Sequence, residues 1–298
     1  MTNTTDHTAE SIAPVAPWIQ HLDEELSQSQ PDVLGNGLCL ILRRLVLSTN
    51  DSAATDAAQQ VDEYYCDHYL PSDPLLKLED DKGMEAFLNT LYGLVFELAC
   101  LVPYNHDLQQ LLVNFVIELV KLPAKKVKIW NEECLVYTKE PIFGSVMEEN
   151  WNARYPSDSI ASDDPAAAES YKEWLNLSAF LARCIQSGRN DSFENWSKYP
   201  GVDIPKGLEE NHDQGPRRKY LLLAALQYLL LAGEKLHSEF ISRHPDGSEK
   251  RRWGLGKWQL WAGKLQEIAG GQETDADVRQ DAEKARRLML LLEPQTQP

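Results

Sequence analysis

The sequence predicts an all-α fold, a single multi-helix domain of roughly nine or ten helices around a buried central helix, arranged as an irregular array or bundle. Three observations carry that prediction. Apolar residues recur at helical spacing in most long segments, and Phe87, Leu88, Leu91, Leu94, Val95, Leu98 and Leu101 make the clearest stripe. Prolines and glycines stand where helices should stop, at Pro71, Pro103, Pro123 and Gly270-Gly271. From Asp107 to Leu122 the polar residues Asp107, Gln110, Asn114, Glu118 and Lys121 fall three or four apart, so the rest of that helix is apolar and has to be packed on several sides. We take it as the central element.

In chain order, residues 1–16 carry too little apolar character to offset the entropy of ordering and are expected as a disordered tail. The domain then spans 17–293, with 294–298 as a second tail. Trp18, Ile19, Leu22 and Leu26 share a face of the first helix, and Pro31-Asp32 opens a second carrying Leu38, Ile41, Leu42, Leu45 and Val46. Asp51 or Ser52 can cap a third, whose Ala54, Ala57, Ala58, Val61 and Tyr65 form a small-residue face for close helix approach. Asn105 is placed to cap the central helix. Ala124 to Glu140 follows neither a strand nor a helix period for long and reads as an ordered return loop or short extended piece. Ile142, Phe143, Val146, Met147 and Trp151 then define a short helix. The Ser- and Asp-rich segment 156–164 is the expected flexible insert. Asp164-Pro165 opens a helix to Gln186 that buries Tyr171, Trp174, Leu175, Phe180, Leu181 and Ile185. Asn190 to Gly215 reads as irregular, with short helical turns. Pro216 opens a long helix to Phe240, and two further helices run from Trp253 to Ala269 and from Thr274 onward, the last with Asp277 as a capping-box partner.

Composition bounds the function. With 43% hydrophobic and 25% charged residues the 298-residue chain is ordinary for a soluble globular protein. Its formal charge of −17 repels nucleic acid and anionic membrane at long range, so neither is an expected partner. No secretory signal is visible near Met1, and the run Tyr220 to Ala232, broken by Gln227, is too short to cross a bilayer. Five cysteines without a close-spaced pair support neither a disulfide framework nor a zinc ribbon. The expected compartment is reducing, the cytoplasm, with the nucleus left open by the basic runs at Lys125, Arg217 and Lys250.

Candidate chemistry is sparse. Cys66-Asp67-His68 lacks the partner cluster that a metal needs, and Gly35-Asn36-Gly37 and Gly254-Leu255-Gly256-Lys257 read as helix-terminal glycines rather than phosphate loops. His106, His237 and His244 have no nucleophile or acid at triad spacing. Glu132-Glu133 and Glu148-Glu149 flank the return loop and could in principle supply an acid/base pair, although paired surface acids are usually solvated. No catalytic, cofactor-binding or metal residue is assigned and no cofactor is expected. A loop threaded against a greasy helix strands backbone donors and acceptors. Asn152, and Asn176 with Arg183 seven residues on, are the natural clamps for the stretch from Trp130 to Pro141. The competing reading makes all three ordinary exposed polar residues.

The run Leu119-Val120-Lys121-Leu122-Pro123, followed by Trp130, Leu135, Tyr137, Pro141, Phe143-Gly144, Met147 and Trp151-Asn152, resembles a fungal family of all-α proteins catalogued as a domain of unknown function. Trp174-Leu175-Asn176-Leu177, Phe180-Leu181-Ala182-Arg183, Ala232-Gly233 and Trp258 to Trp261 fit the same pattern, which covers most of the chain beyond about residue 30. Glu148 stands where the pattern has Arg, and Ser178 where it has Asn. The resemblance implies a fungal, intracellular helical protein and no activity. With abundant Trp and Tyr and no convergent catalytic set, the expected function is a non-enzymatic protein-interaction or accessory role, with another protein as partner and an oligomeric state that the sequence does not define. Trp130, Tyr137, Trp151, Asn152, Trp174, Asn176 and Arg183 are the structural or interaction candidates. The alternative is an enzyme using the acidic and aromatic residues of the 130–152 return loop.

Overall fold

Proline and glycine punctuation divides the chain into helices of moderate length, and the computed structural model shows how they assemble. It describes residues 15–27, 33–69, 82–156, 165–188, 196, 198–210, 215–240, 254–272 and 274–293. Most of the expected tail at 1–16, nearly all of the insert at 156–164, the tail at 294–298, His244 and the basic run from Lys250 lie outside the described residues.

Among those residues there are eleven helices: α1 (Pro17–Ser27), α2 (Val33–Leu47), α3 (Ala53–Tyr69), α4 (Lys82–Leu101), α5 (Leu108–Lys121), α6 (Ile142–Arg154), α7 (Pro165–Ser187), α8 (Lys198–Leu208), α9 (Pro216–Phe240), α10 (Leu255–Gly270) and α11 (Ala276–Leu292). Two short strands, β1 (Lys126–Ile129) and β2 (Glu132–Leu135), pair antiparallel between α5 and α6. The fold is a mostly helical single domain with one small hairpin.

The buried central helix is α9 rather than α5. Every residue from Leu221 to Leu229 is buried, and α7, α8 and α11 enclose it. Ala224, Ala225 and Ala232 keep its profile low enough for close approach. Gly207 of α8 lies where a Cβ would come within 2.6 Å of the Leu221 carbonyl oxygen, so only glycine fits at that crossing. The α5 helix packs on α3, α4 and α7 through Leu112, Val113, Phe115, Val116 and Leu119, yet leaves Leu111, Ile117 and Leu122 half-buried. Its polar stripe is narrow, but a wide apolar face and a fully enclosed helix look alike in sequence. In α9 the interruption that marks a polar face, Gln227, is itself buried.

Three further departures have local causes. Asn105 does not cap α5: the His106 Nδ1 accepts the Leu108 N–H at 3.1 Å, and Trp18 of α1 packs edge-on against the same imidazole at 5.2 Å. The irregular stretch contains α8, despite Pro200 and an interior Pro205, because Tyr199, Asp203, Ile204 and Leu208 are buried, largely against α9, and packing overrides propensity. The last helix is not started by a capping box, since Asp277 accepts from the adjacent Val278 N–H while Lys219 of α9 pairs with Asp275 and Asp277. The α4 helix has the length and hydropathy of a membrane span, but here its Phe87, Leu88, Leu91, Val95 and Leu98 are buried in the core.

Candidate interaction surface at the return hairpin

After Pro123 the chain needs partners for its backbone polar groups, and it finds them in itself. Lys126 faces Leu135, Val127 faces Cys134, Lys128 faces Glu133 and Ile129 faces Glu132. Past β2, the Val136 N–H donates to the Lys125 carbonyl and Leu135 exchanges bonds with Lys139. Two residues, Trp130 and Asn131, make the turn, with φ of 50° and 65°. Positive φ at both central positions is the sign pattern of a type I′ hairpin turn, which suits the strand twist and favours Asn and Gly. Asparagine tolerates that region; a tryptophan there is strained. Its side chain is 55% exposed, and the indole Nε1 donates to Glu85 Oε1 at the start of α4 at 3.1 Å.

Behind the hairpin lies a polar cluster. Lys125, at the base of β1, forms an ion pair with Asp62 of α3, and its Nζ lies 3.3 Å from Cys66 Sγ one turn further along that helix. The ammonium sits 6.0 Å from the centre of the Tyr65 ring. Tyr137 is buried at a φ of 62° beside Asp62. Burial, and then the neighbouring Asp62, push its phenol above the ordinary range. The hairpin base is thus tied to α3 through Lys125, by its ion pair with Asp62 and its contact with Cys66.

Asn176 and Arg183 are clamps, but not of this loop. The Asn176 side chain accepts the Tyr104 N–H at 2.8 Å and donates to the Cys100 carbonyl at 2.7 Å. Arg183 donates to the Tyr104 carbonyl at 3.0 Å, with burial lowering its pKa from the usual value. Both therefore hold the corner between α4 and α5. Gln109, fully buried and not singled out by its sequence, completes it by donating to the Ala99 and Val102 carbonyls at 2.9 and 2.7 Å. The cause is that α4 ends with orphan carbonyls at a proline that offers no N–H, whereas the hairpin pairs its own backbone. Asn152 is exposed on α6 with Glu148 and Glu149, which share its outward face.

Trp151 and Trp174 belong to another interior. Asp203 of α8 is fully buried, with Trp151 Nε1 3.5 Å from its carboxyl and the hydroxyls of Tyr228 and Ser178 as polar neighbours. Burial pushes the Asp203 carboxyl up to about 8, and those neutral donors only partly offset it. Trp151 packs on Tyr155 and Tyr199, and Tyr155 stands edge-on to the buried Trp174. No sequence pattern marks Asp203.

The four loop acids do not converge. Glu132, Glu133, Glu148 and Glu149 are all exposed, Glu133 pairs with Lys126 across the hairpin, and Glu148 pairs with Lys198 of α8. A cavity of about 460 Å³ lies instead between the starts of α9 and α11, where Arg218, Lys219, Tyr220 and Asp275 line it. Among the described residues no three His, Cys, Asp or Glu side chains are grouped as metal ligands.

Residues 92–265 match the family model described as "Protein of unknown function (DUF3632)", from within α4 to within α10. No curated protein and no solved structure matches the chain. The match covers more than half of the sequence, and the chain belongs to that family.

Proposed function

For this member of a family described as of unknown function, we propose a non-enzymatic interaction or accessory role whose contact surface is the hairpin tip around Trp130. The observation that supports this is the conjunction at one residue of a left-handed backbone and an exposed indole. A hairpin selected for stability alone would place Asn-Gly at this turn, so a strained tryptophan held outward points to a use for the side chain. Tryptophan is among the residues enriched at the energetic hot spots of protein interfaces. Glu85 pre-orients the ring, and the ladder beneath it is rigid, which lowers the entropy lost on binding. The partner is another protein, since a formal charge of −17 opposes nucleic acid and anionic membrane.

Trp130→Gly tests this reading. Glycine takes the left-handed conformation without strain, so the variant should fold with the parent's circular dichroism and melting profile. Affinity capture from a native extract should lose those proteins held by the parent through the tip. An identical set of captured proteins, at identical yield, would overturn the assignment of the tip as the contact surface.

A further inference from the structure

We propose that Cys66 and Lys125 form a peroxide-driven covalent cross-link, an S–N bond between Sγ and Nζ that fastens the base of the return hairpin to α3. The two atoms are in contact at 3.3 Å across 59 residues of sequence. Asp62 holds the lysine from the same face of α3, and the Tyr65 ring lies under the ammonium, so the amine is positioned and not swinging in solvent. Cys66 is also the half-exposed member of its kind, since Cys39, Cys100, Cys134 and Cys184 are all buried. Burial raises the thiols of Cys39, Cys100 and Cys134 and leaves them inert, which concentrates oxidation on the cysteine beside an amine.

The chemistry balances in two steps. Cys66 sulfur attacks the O–O bond of hydrogen peroxide and loses two electrons to it, giving the sulfenic acid and one water. Lys125 first gives one ammonium proton to Asp62, which frees its lone pair, and the amine nitrogen attacks that sulfur; the S–N bond forms as the S–O bond breaks, and the departing hydroxide leaves as water with a second lysine proton. The proton taken by Asp62 passes on to solvent. Sulfenic acids condense in this way even with backbone nitrogen, a poorer nucleophile than an amine. A thiol reductant returns the free side chains. The cross-link does not depend on the hairpin tip being a binding surface.

The test uses the purified full-length chain, treated with hydrogen peroxide, digested and read by mass spectrometry. The expected product is a peptide pair joined through Cys66 and Lys125, lighter by two hydrogens than the separate peptides and released by dithiothreitol. It should vanish in Cys66→Ser and in Lys125→Arg, where the guanidinium keeps the ion pair with Asp62. Lys125→Arg should also trap several-fold more dimedone at Cys66, because the sulfenic acid has no amine to consume it. Absence of the joined pair from the parent chain, or equal dimedone trapping in parent and Lys125→Arg, would overturn the proposal.

Discussion

The α4–α5 corner and the return hairpin solve one problem in opposite ways. Both reverse the chain directly after a helix that ends near a proline. The corner leaves its backbone groups unpaired and imports Gln109, Asn176 and Arg183 to satisfy them, all three side chains at least half-buried. The hairpin satisfies its own backbone and imports nothing at its tip, where strain is concentrated on an exposed tryptophan. The difference separates stability from use: substitutions at the corner should act on folding, and substitutions at the tip on binding.

The largest effect expected is at the corner. Asn176→Ala strands a part-buried N–H and a buried carbonyl, and at about 1 kcal/mol for the first and about 1–3 kcal/mol for the second it should cost about 2–4 kcal/mol in urea unfolding. A loss under about 0.5 kcal/mol would remove the contrast, because the corner would then be no more dependent on its clamps than the hairpin.

Asp203 asks whether an interior polar cluster must be as well matched as the corner. Its carboxyl is raised to about 8 in the folded protein and titrates near 3.9 when unfolded, so between those values the native state holds a proton that the unfolded chain has released. Stability attributable to this group is therefore fullest below about 4, falls as pH rises toward 8 and levels off above. The slope approaches about 1.4 kcal/mol per pH unit in mid-window. Asp203→Asn cannot ionise, and melting between pH 5 and 8 should be flatter than in the parent; parallel curves would show that the carboxyl is not carrying a proton.

The smallest effect is expected at the tip. Trp130→Gly relieves a left-handed residue at a gain of about 1–2 kcal/mol but loses the Glu85 bond and adds unfolded-state entropy, leaving a net change below about 1 kcal/mol. A destabilisation of several kcal/mol would make Trp130 a structural residue and close the gap between the two regions.

What was legible in the sequence follows the same division. The stripe of α4, the greasy run of α5 and the stops at Pro103 and Pro123 are visible because period and punctuation are local. The hairpin is not: its strands are four residues each, too short for a period, and a Trp-Asn turn lacks the Asn-Gly signature. The two prolines of α8 hid a helix that tertiary packing maintains. Asn176 and Arg183 are recognisable as clamps from amide and guanidinium chemistry, but their target depends on which carbonyls α4 leaves open beside α7. Asn152 follows Trp151 by one residue, which on a helix is enough to turn it from core to solvent. Asp203 carries no signal, since a lone acid among prolines and glycines looks like a surface residue.

The spacing of the corner's clamps also sets an order of events on the ribosome. Gln109 lies 7 to 10 residues from the carbonyls it holds, whereas Asn176 and Arg183 lie 72 and 79 residues beyond Tyr104. At roughly 5–20 residues per second, several seconds of synthesis separate the first clamp from the others. During that interval the nascent corner has one amide to hold it. A chain cut after residue 156 should therefore exchange its Tyr104 amide hydrogen as fast as an open loop while Gln109 remains in place, and slow exchange in that fragment would mean the corner closes without α7.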